Sequence, residues 1–424
     1  MTILLALTFA ASAHAQNQQY FEFYSATGVE ADFSFDAQVT AVQTKAPTRD
    51  QVDLLVRKQM RYMLGLMHSR PNTAAALYPK WSFTVLETKK NTGPGWNVKY
   101  NLKSKGEFKK GTTQYLFTLP LNPNTIYRDS ALKCMVEKAE ESNFWYHWEP
   151  LLAGCPLKEG EHYYNVTAKV TPRVSTTQTY PEYSRLVDAD KTIKVTFFFG
   201  YEQYDLPTWN TQGDDWGIRS FNQQREFLKS RGFSERAWSA AEVETIYKAK
   251  DGKVPHVLEM VQDGAVAKLR VRLILSDTGF SHGSLGFHHF LKDALVKESV
   301  IIYDGHSGIG MNLDIPAIER LRGFKLPINM NYQIMFLGSC LPYAYYPEIF
   351  FHKKTSATDP TGTKNLDIFT YGEESTFGST EDQLLMRALM RYAKDGARVS
   401  YQTMINMGPH FLFAINGDED NPTK

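Results

Sequence analysis

The chain has 424 residues, of which 47 are basic and 46 acidic, for a formal net charge of +1. That balance excludes nucleic acid or an anionic membrane surface as an electrostatic partner. The length is enough for a large core divided between two domains, and the 13% aromatic content is that of a sheet-rich globular chain.

Residues 3–13 are apolar and are followed by Ala13-His14-Ala15 and a polar stretch. Small residues at −3 and −1 predict cleavage after Ala15, so 1–15 reads as a signal peptide and the mature protein as periplasmic or secreted. The apolar segment is too short to span a bilayer, and no later segment is long enough, so no stable membrane insertion is expected after cleavage. In an oxidising compartment, Cys134 and Cys155, 21 residues apart around Phe144-Trp145-Tyr146-His147-Trp148, are expected to form a disulfide. Cys340 is then the odd thiol.

Residues 48–67 carry apolar side chains at helical spacing, with Thr48 as N-cap. Strand-like segments follow at 81–86, 96–102, 114–121 and 163–170. Residues 16–185 therefore read as an α+β domain of unknown role with an antiparallel sheet, and the Ser/Thr/Pro-rich stretch 171–184 as a linker.

From 186 to 424 the rhythm is strand and helix in alternation. Strands are expected at 193–199, 269–275, 300–303, 332–337 and 366–371, and helices at 221–231, 287–297, 316–321 and 383–392. The run at 411–415 closes the chain. This pattern predicts an α/β domain with a mostly parallel sheet flanked by helices, whose sites form at the carboxyl ends of the strands.

Two apolar runs end in reactive residues. Val300-Ile301-Ile302-Tyr303-Asp304-Gly305-His306 ends in an imidazole, and Met335-Phe336-Leu337-Gly338-Ser339-Cys340 in a thiol 34 residues later. Adjacent strands would make these a Cys340–His306 dyad, with a thiol more reactive toward alkylation at neutral pH than a free cysteine. Backbone N–H groups at Ser307 and Cys340 are candidates for an oxyanion hole, among glycines at 305, 308, 310 and 338.

These two blocks resemble those of the caspase, gingipain and legumain superfamily of cysteine peptidases, over about residues 191–424. The resemblance implies His306 as general base and acid, Cys340 as nucleophile, a protein or peptide substrate, and no cofactor. Ser307 stands where that family usually has Gly after His, and Ser339 where it often has Ala before Cys. Asp277, Glu373 and Glu374 are candidates for a pocket that accepts a basic side chain.

Two alternatives share the same residues. Gly305-His306-Ser307-Gly308-Ile309-Gly310 overlaps a nucleophile-elbow pattern, and Asp367 and His410 follow in triad order, which reads as a serine esterase. The other is a catalytically inactive peptidase-like binding or scaffold protein. His282 is a second imidazole candidate. His288 and His289 are adjacent and point apart on a helix, so no metal site is expected there. The acidic stretch Gly417-Asp418-Glu419-Asp420 reads as a solvated terminus rather than a calcium site.

Overall fold

The computed structural model describes residues 23–69, 75–201, 215–248, 254–281, 283–375 and 380–423. The proposed signal peptide and His282 lie outside the described residues. The chain opens with β1 (Phe23–Ser25), β2 (Gly28–Ala41), α1 (Arg49–Ser69), β3 (Ala75–Lys90), β4 (Trp96–Lys109) and β5 (Gln114–Pro120). Two short helices follow, α2 (Ile126–Asp129) and α3 (Phe144–His147), and then β6 (Tyr163–Pro172).

Five of these strands form an antiparallel sheet in the order β3-β4-β2-β6-β5. On β2 the alternating Ala31, Phe33, Phe35, Ala37, Val39 and Ala41 face the core. Val52, Val56, Met60, Met63 and Met67 of α1 cover that face, so the helical and strand periods meet in one cluster. Cys134 and Cys155 are joined in a disulfide, and the aromatic segment they enclose packs with Tyr62 and Leu66 of α1.

The second half begins with α4 (Tyr183–Leu186), β7 (Thr192–Gly200), α5 (Trp216–Ser230), β8 (Ser234–Ala237), α6 (Ala240–Glu244) and β9 (His256–Gln262). It continues through β10 (Lys268–Ser276), α7 (Leu285–Lys297), β11 (Val300–Asp304), α8 (Ile315–Arg322), β12 (Gln333–Gly338), α9 (Pro342–Tyr345) and α10 (Pro347–Lys354). Its last elements are β13 (Leu366–Tyr371), α11 (Glu381–Asp395), α12 (Tyr401–Met407) and β14 (Phe413–Asn416).

Among the described residues the larger sheet has nine strands, ordered β1-β14-β13-β12-β11-β7-β10-β9-β8. The central five, β10-β7-β11-β12-β13, are parallel, and the strands outside them pair antiparallel. Numbered by chain position, those five run 2-1-3-4-5, a doubly wound order whose switch point lies between β7 and β11. Each central strand is apolar on both faces. In β11, Val300 and Ile302 face α5, α11 and α12, whereas Ile301 and Tyr303 face α7, α8 and α10.

The domain boundary differs from the sequence reading at two places. β1 pairs with β14 at the edge of the larger sheet, so the chain's first described strand belongs to the second half's core. The stretch expected as a linker is docked: Thr179 is buried, its N–H donates to Gln402 (2.8 Å), and the Tyr180 N–H donates to the Pro422 carbonyl (2.9 Å). No helix among the described residues is long and apolar enough to cross a membrane.

The disulfide closes a 21-residue separation. The double variant Cys134→Ala, Cys155→Ala is expected to lose about 3 kcal/mol of unfolding free energy. Urea denaturation under non-reducing conditions measures the difference.

Candidate active site

Parallel pairing of β11 with β12 sets Tyr303 beside Leu337 and Asp304 beside Gly338. The Gly305 N–H donates to the Gly338 carbonyl (3.1 Å), the last bond before the two chains leave the sheet. His306 and Cys340 each lie two residues beyond a register pair, on the same rim and next to the switch point. Both are half-buried.

Hydrogen bonds fasten the His306 loop through its carbonyls. The His306 carbonyl accepts from the Tyr303 hydroxyl (2.7 Å) and the Asn312 amide (2.8 Å). The Ser307 carbonyl accepts from the Tyr346 hydroxyl (2.9 Å) and the Asn312 N–H (3.2 Å). Gly308, Ile309 and Gly310 then turn through three successive positive φ angles of 56°, 54° and 84°. Ile309 is the costly member, because a β-branched side chain is disfavoured there.

Cys340 sits on a sharp strand-to-helix turn. Leu341 is buried in the left-handed region at φ 52°, its N–H donates to the Glu373 carbonyl (3.2 Å), and α9 starts at Pro342. A left-handed leucine costs roughly 1–3 kcal/mol and persists only where its surroundings dictate it. Burial pushes the Cys340 thiol up to about 11 and the Glu374 carboxylate adds to that, whereas the Ser375 N–H, bonded to the sulfur, opposes them. The neutral-pH reactivity expected from sequence is therefore corrected: at pH 7 the resting thiol is protonated.

The candidate pocket residues separate. Glu373 and Glu374 follow β13 and border the cysteine, as Leu341 and the thiol show. Asp277 follows β10, two strands away from β11, and is 3% exposed. Its carboxylate is committed to a turn, accepting from the Gly279 N–H (2.8 Å) and the Ser281 hydroxyl (3.2 Å). That turn, rather than a substrate pocket beside Cys340, accounts for Asp277.

The serine triad is not assembled. Asp367 pairs with Ile334, which pairs with Val300, so it lies near the opposite end of the strands from Ser307. Its carboxylate accepts from Tyr332, Tyr401 and Asn421. His410 instead bonds the buried Glu381 through Nδ1.

His288 is buried and its Nδ1 accepts from the Arg322 Nε (2.8 Å). Burial first, and then the charges of Arg322 and His289, push it down to about 3. His289 stacks on Tyr247 and meets Phe324, with ring centroids 5.3 and 4.9 Å away. The acidic terminus is folded in rather than solvated: Asp418 is buried and accepts from Thr179, and Glu419 accepts from Thr363.

The His410–Glu381 pair is the rim feature that sequence reading missed. Its members are 29 residues apart and join only through the β13–β14 pairing and the start of α11. No known protein family, characterised protein or solved structure matches this chain.

Two outcomes follow from the ionisation of these groups. Iodoacetamide labelling of Cys340 in native protein should accelerate about tenfold per pH unit from pH 7 to 10. A rate already on a plateau at pH 7 would mean a preformed thiolate.

His410 is raised, chiefly by its bond to Glu381 and against burial, so its stabilisation is complete below about pH 6.5 and fades as pH climbs through the raised value. For Glu381, burial is outweighed by His410 and the carboxyl is lowered, so its share is complete above about pH 4.5 and fades on acidification. The Tm deficit of Glu381→Gln, measured by calorimetry, should be largest near pH 5–6 and shrink by pH 9 (about the far side of the imidazole titration).

Proposed function

We propose that the chain is an exported cysteine peptidase-like hydrolase of the caspase, gingipain and legumain type, acting on a protein or peptide. The observation that carries this reading is the register of β11 and β12, which delivers His306 and Cys340 to one rim from adjacent parallel strands. The 2-1-3-4-5 order of the parallel strands, extended by antiparallel β14, supports it. So does the left-handed Leu341 directly after the thiol.

Because the resting thiol is protonated, the mechanism is general-base attack rather than reaction of a stored thiolate. His306 takes the thiol proton as the Cys340 sulfur forms its bond to the substrate carbonyl carbon. The N–H groups of Ser307 and Cys340 hold the oxyanion. As the C–N bond breaks, His306 returns the proton to the leaving amine. Water, deprotonated by the same imidazole, then hydrolyses the thioester and frees Cys340. Glu373 and Glu374 border the thiol and would favour a basic substrate side chain.

The burial and raised titration of Cys340 also favour a second reading, a peptidase-like scaffold that binds without cleaving. Assay against a quenched-fluorescence peptide library separates the two. Under the peptidase reading, Cys340→Ala and His306→Ala each lower kcat/KM about a thousandfold or more. A fluorophosphonate should leave the activity intact. Hydrolysis that survives both substitutions, or its absence across the library, removes the peptidase reading. Export is tested by N-terminal sequencing of protein secreted from an expressing cell, expected to begin at Gln16.

A further inference from the structure

A small polar cavity opens at the carboxyl ends of β7 and β11, on the face covered by α5 and α11. Asp304, the last residue of β11, shares it with Ser220, Gln223 and Gln224 of α5 and with Asp382 and Gln383 of α11. The void at its centre, about 10 Å³, takes roughly one water-sized sphere.

Two carboxyl groups meet here without a cationic side chain, Asp382 buried and Asp304 half-buried. Asp382 is 8% exposed, and among the described residues neither it nor Asp304 forms an ion pair. Asp304 has the Ser220 hydroxyl, and Asp382 the Gln383 N–H (2.7 Å). Burial first, and then the charge of Asp304, raises the cost of ionising Asp382. Gln224 is 2% exposed, and among the described residues neither its amide oxygen nor its amide nitrogen has a hydrogen-bonding partner. Leaving such a group unsatisfied costs about 1–3 kcal/mol. Ser220 and Gln224 are four residues apart, on the buried stripe of α5 that is otherwise filled by Ile218, Phe221 and Leu228. Polar side chains thus replace apolar ones at the one place where that stripe crosses the end of β11.

We propose that this cavity binds one divalent cation of calcium's size, held by Asp304, Asp382 and the side-chain oxygens of the surrounding amides and Ser220. The donors are all oxygen, with no imidazole or thiolate to favour zinc or copper. Two carboxylates match the charge of the ion. A bare ion fits a void of one water, whereas a guanidinium or ammonium on its carbon stem does not. Magnesium demands near-ideal octahedral geometry and dehydrates reluctantly, whereas calcium accepts an irregular set of about six to eight oxygens such as this one. Bound there, the ion would join β11, α5 and α11 two residues before His306. The proposal does not depend on Cys340 being reactive.

Equilibrium dialysis of full-length, EDTA-stripped protein against calcium tests it directly, with thermal unfolding alongside. Saturable uptake of one calcium per chain is expected, with a rise in Tm and weaker uptake of magnesium. Asp304→Asn and Asp382→Asn, near-isosteric changes checked for folding by circular dichroism, should abolish uptake, and Gln224→Met should weaken it about tenfold. Absence of saturable calcium uptake by the native protein overturns the proposal, whatever the variants do. Uptake that persists unchanged in both Asn variants overturns it equally.

Discussion

The candidate site depends on the register between β11 and β12. Both strands are apolar on both faces, so the ladder cannot slip by one residue without exchanging what each side chain packs against. Ile301 and Tyr303 belong with Met335 and Leu337 on one face, and Val300 and Ile302 with Ile334 and Phe336 on the other. That double constraint fixes where the strands end. It therefore fixes the rim from which the His306 and Cys340 turns leave the sheet. The Tyr303 and Tyr346 hydroxyls extend the control past the sheet by holding the carbonyls of the His306 loop.

The N-terminal half completes this arrangement and also restrains it. Leu341, Ala344, Tyr345 and Ile309, from the turns that follow Cys340 and His306, share a cluster with Tyr62, Tyr146, Trp148 and Cys134. Polar contacts cross the same boundary: the Tyr343 hydroxyl donates to Glu30 (2.9 Å), and Lys80 pairs with Glu348 (3.2 Å). The packing that makes Leu341 tolerable in a left-handed conformation is the packing that removes water from the thiol. Desolvation is the first cause of the raised Cys340 titration, so the sharp strand-to-helix turn and the unionised thiol have one origin. Under the proposed peptidase reading, a protonated resting thiol makes a general base necessary.

The parallel core was legible because strands buried on both faces are continuous apolar runs, which is why β7, β10, β11, β12 and β13 match their expected segments closely. The antiparallel half was read less completely. β2 is the central strand of its sheet, but its small inward residues, Ala31, Ala37 and Ala41, weaken the alternation that would mark it. The pairing of β1 with β14 spans nearly the whole chain and leaves no local trace. Among the candidate site residues, Cys340 and His306 are legible because each follows an apolar run that the structure forms as a strand. Asp277 ends a similar run and was taken for a pocket residue, although its carboxylate closes a turn. The cavity of Asp304, Asp382 and Gln224 draws on three elements far apart in sequence, and no motif announces it.

Three buried carboxylates elsewhere in this fold show what a satisfied one looks like. Glu298 accepts from Arg270 and Arg272 at 2.9 and 2.7 Å, and Glu30 has Lys105 and Tyr343. Asp367 has two tyrosine hydroxyls and an asparagine amide. In each case the sequence supplies donors from neighbouring elements in proportion to the burial. Asp304 and Asp382 depart from that practice, with a hydroxyl and local backbone N–H groups in place of any cation, and an unbonded amide alongside. Positive charge is the element missing from that group, and the void between the carboxyl groups is of a size that takes a small ion. The same fold that buries its carboxylates against arginine and tyrosine elsewhere would here use a metal to join the end of β11 to the helices beside it.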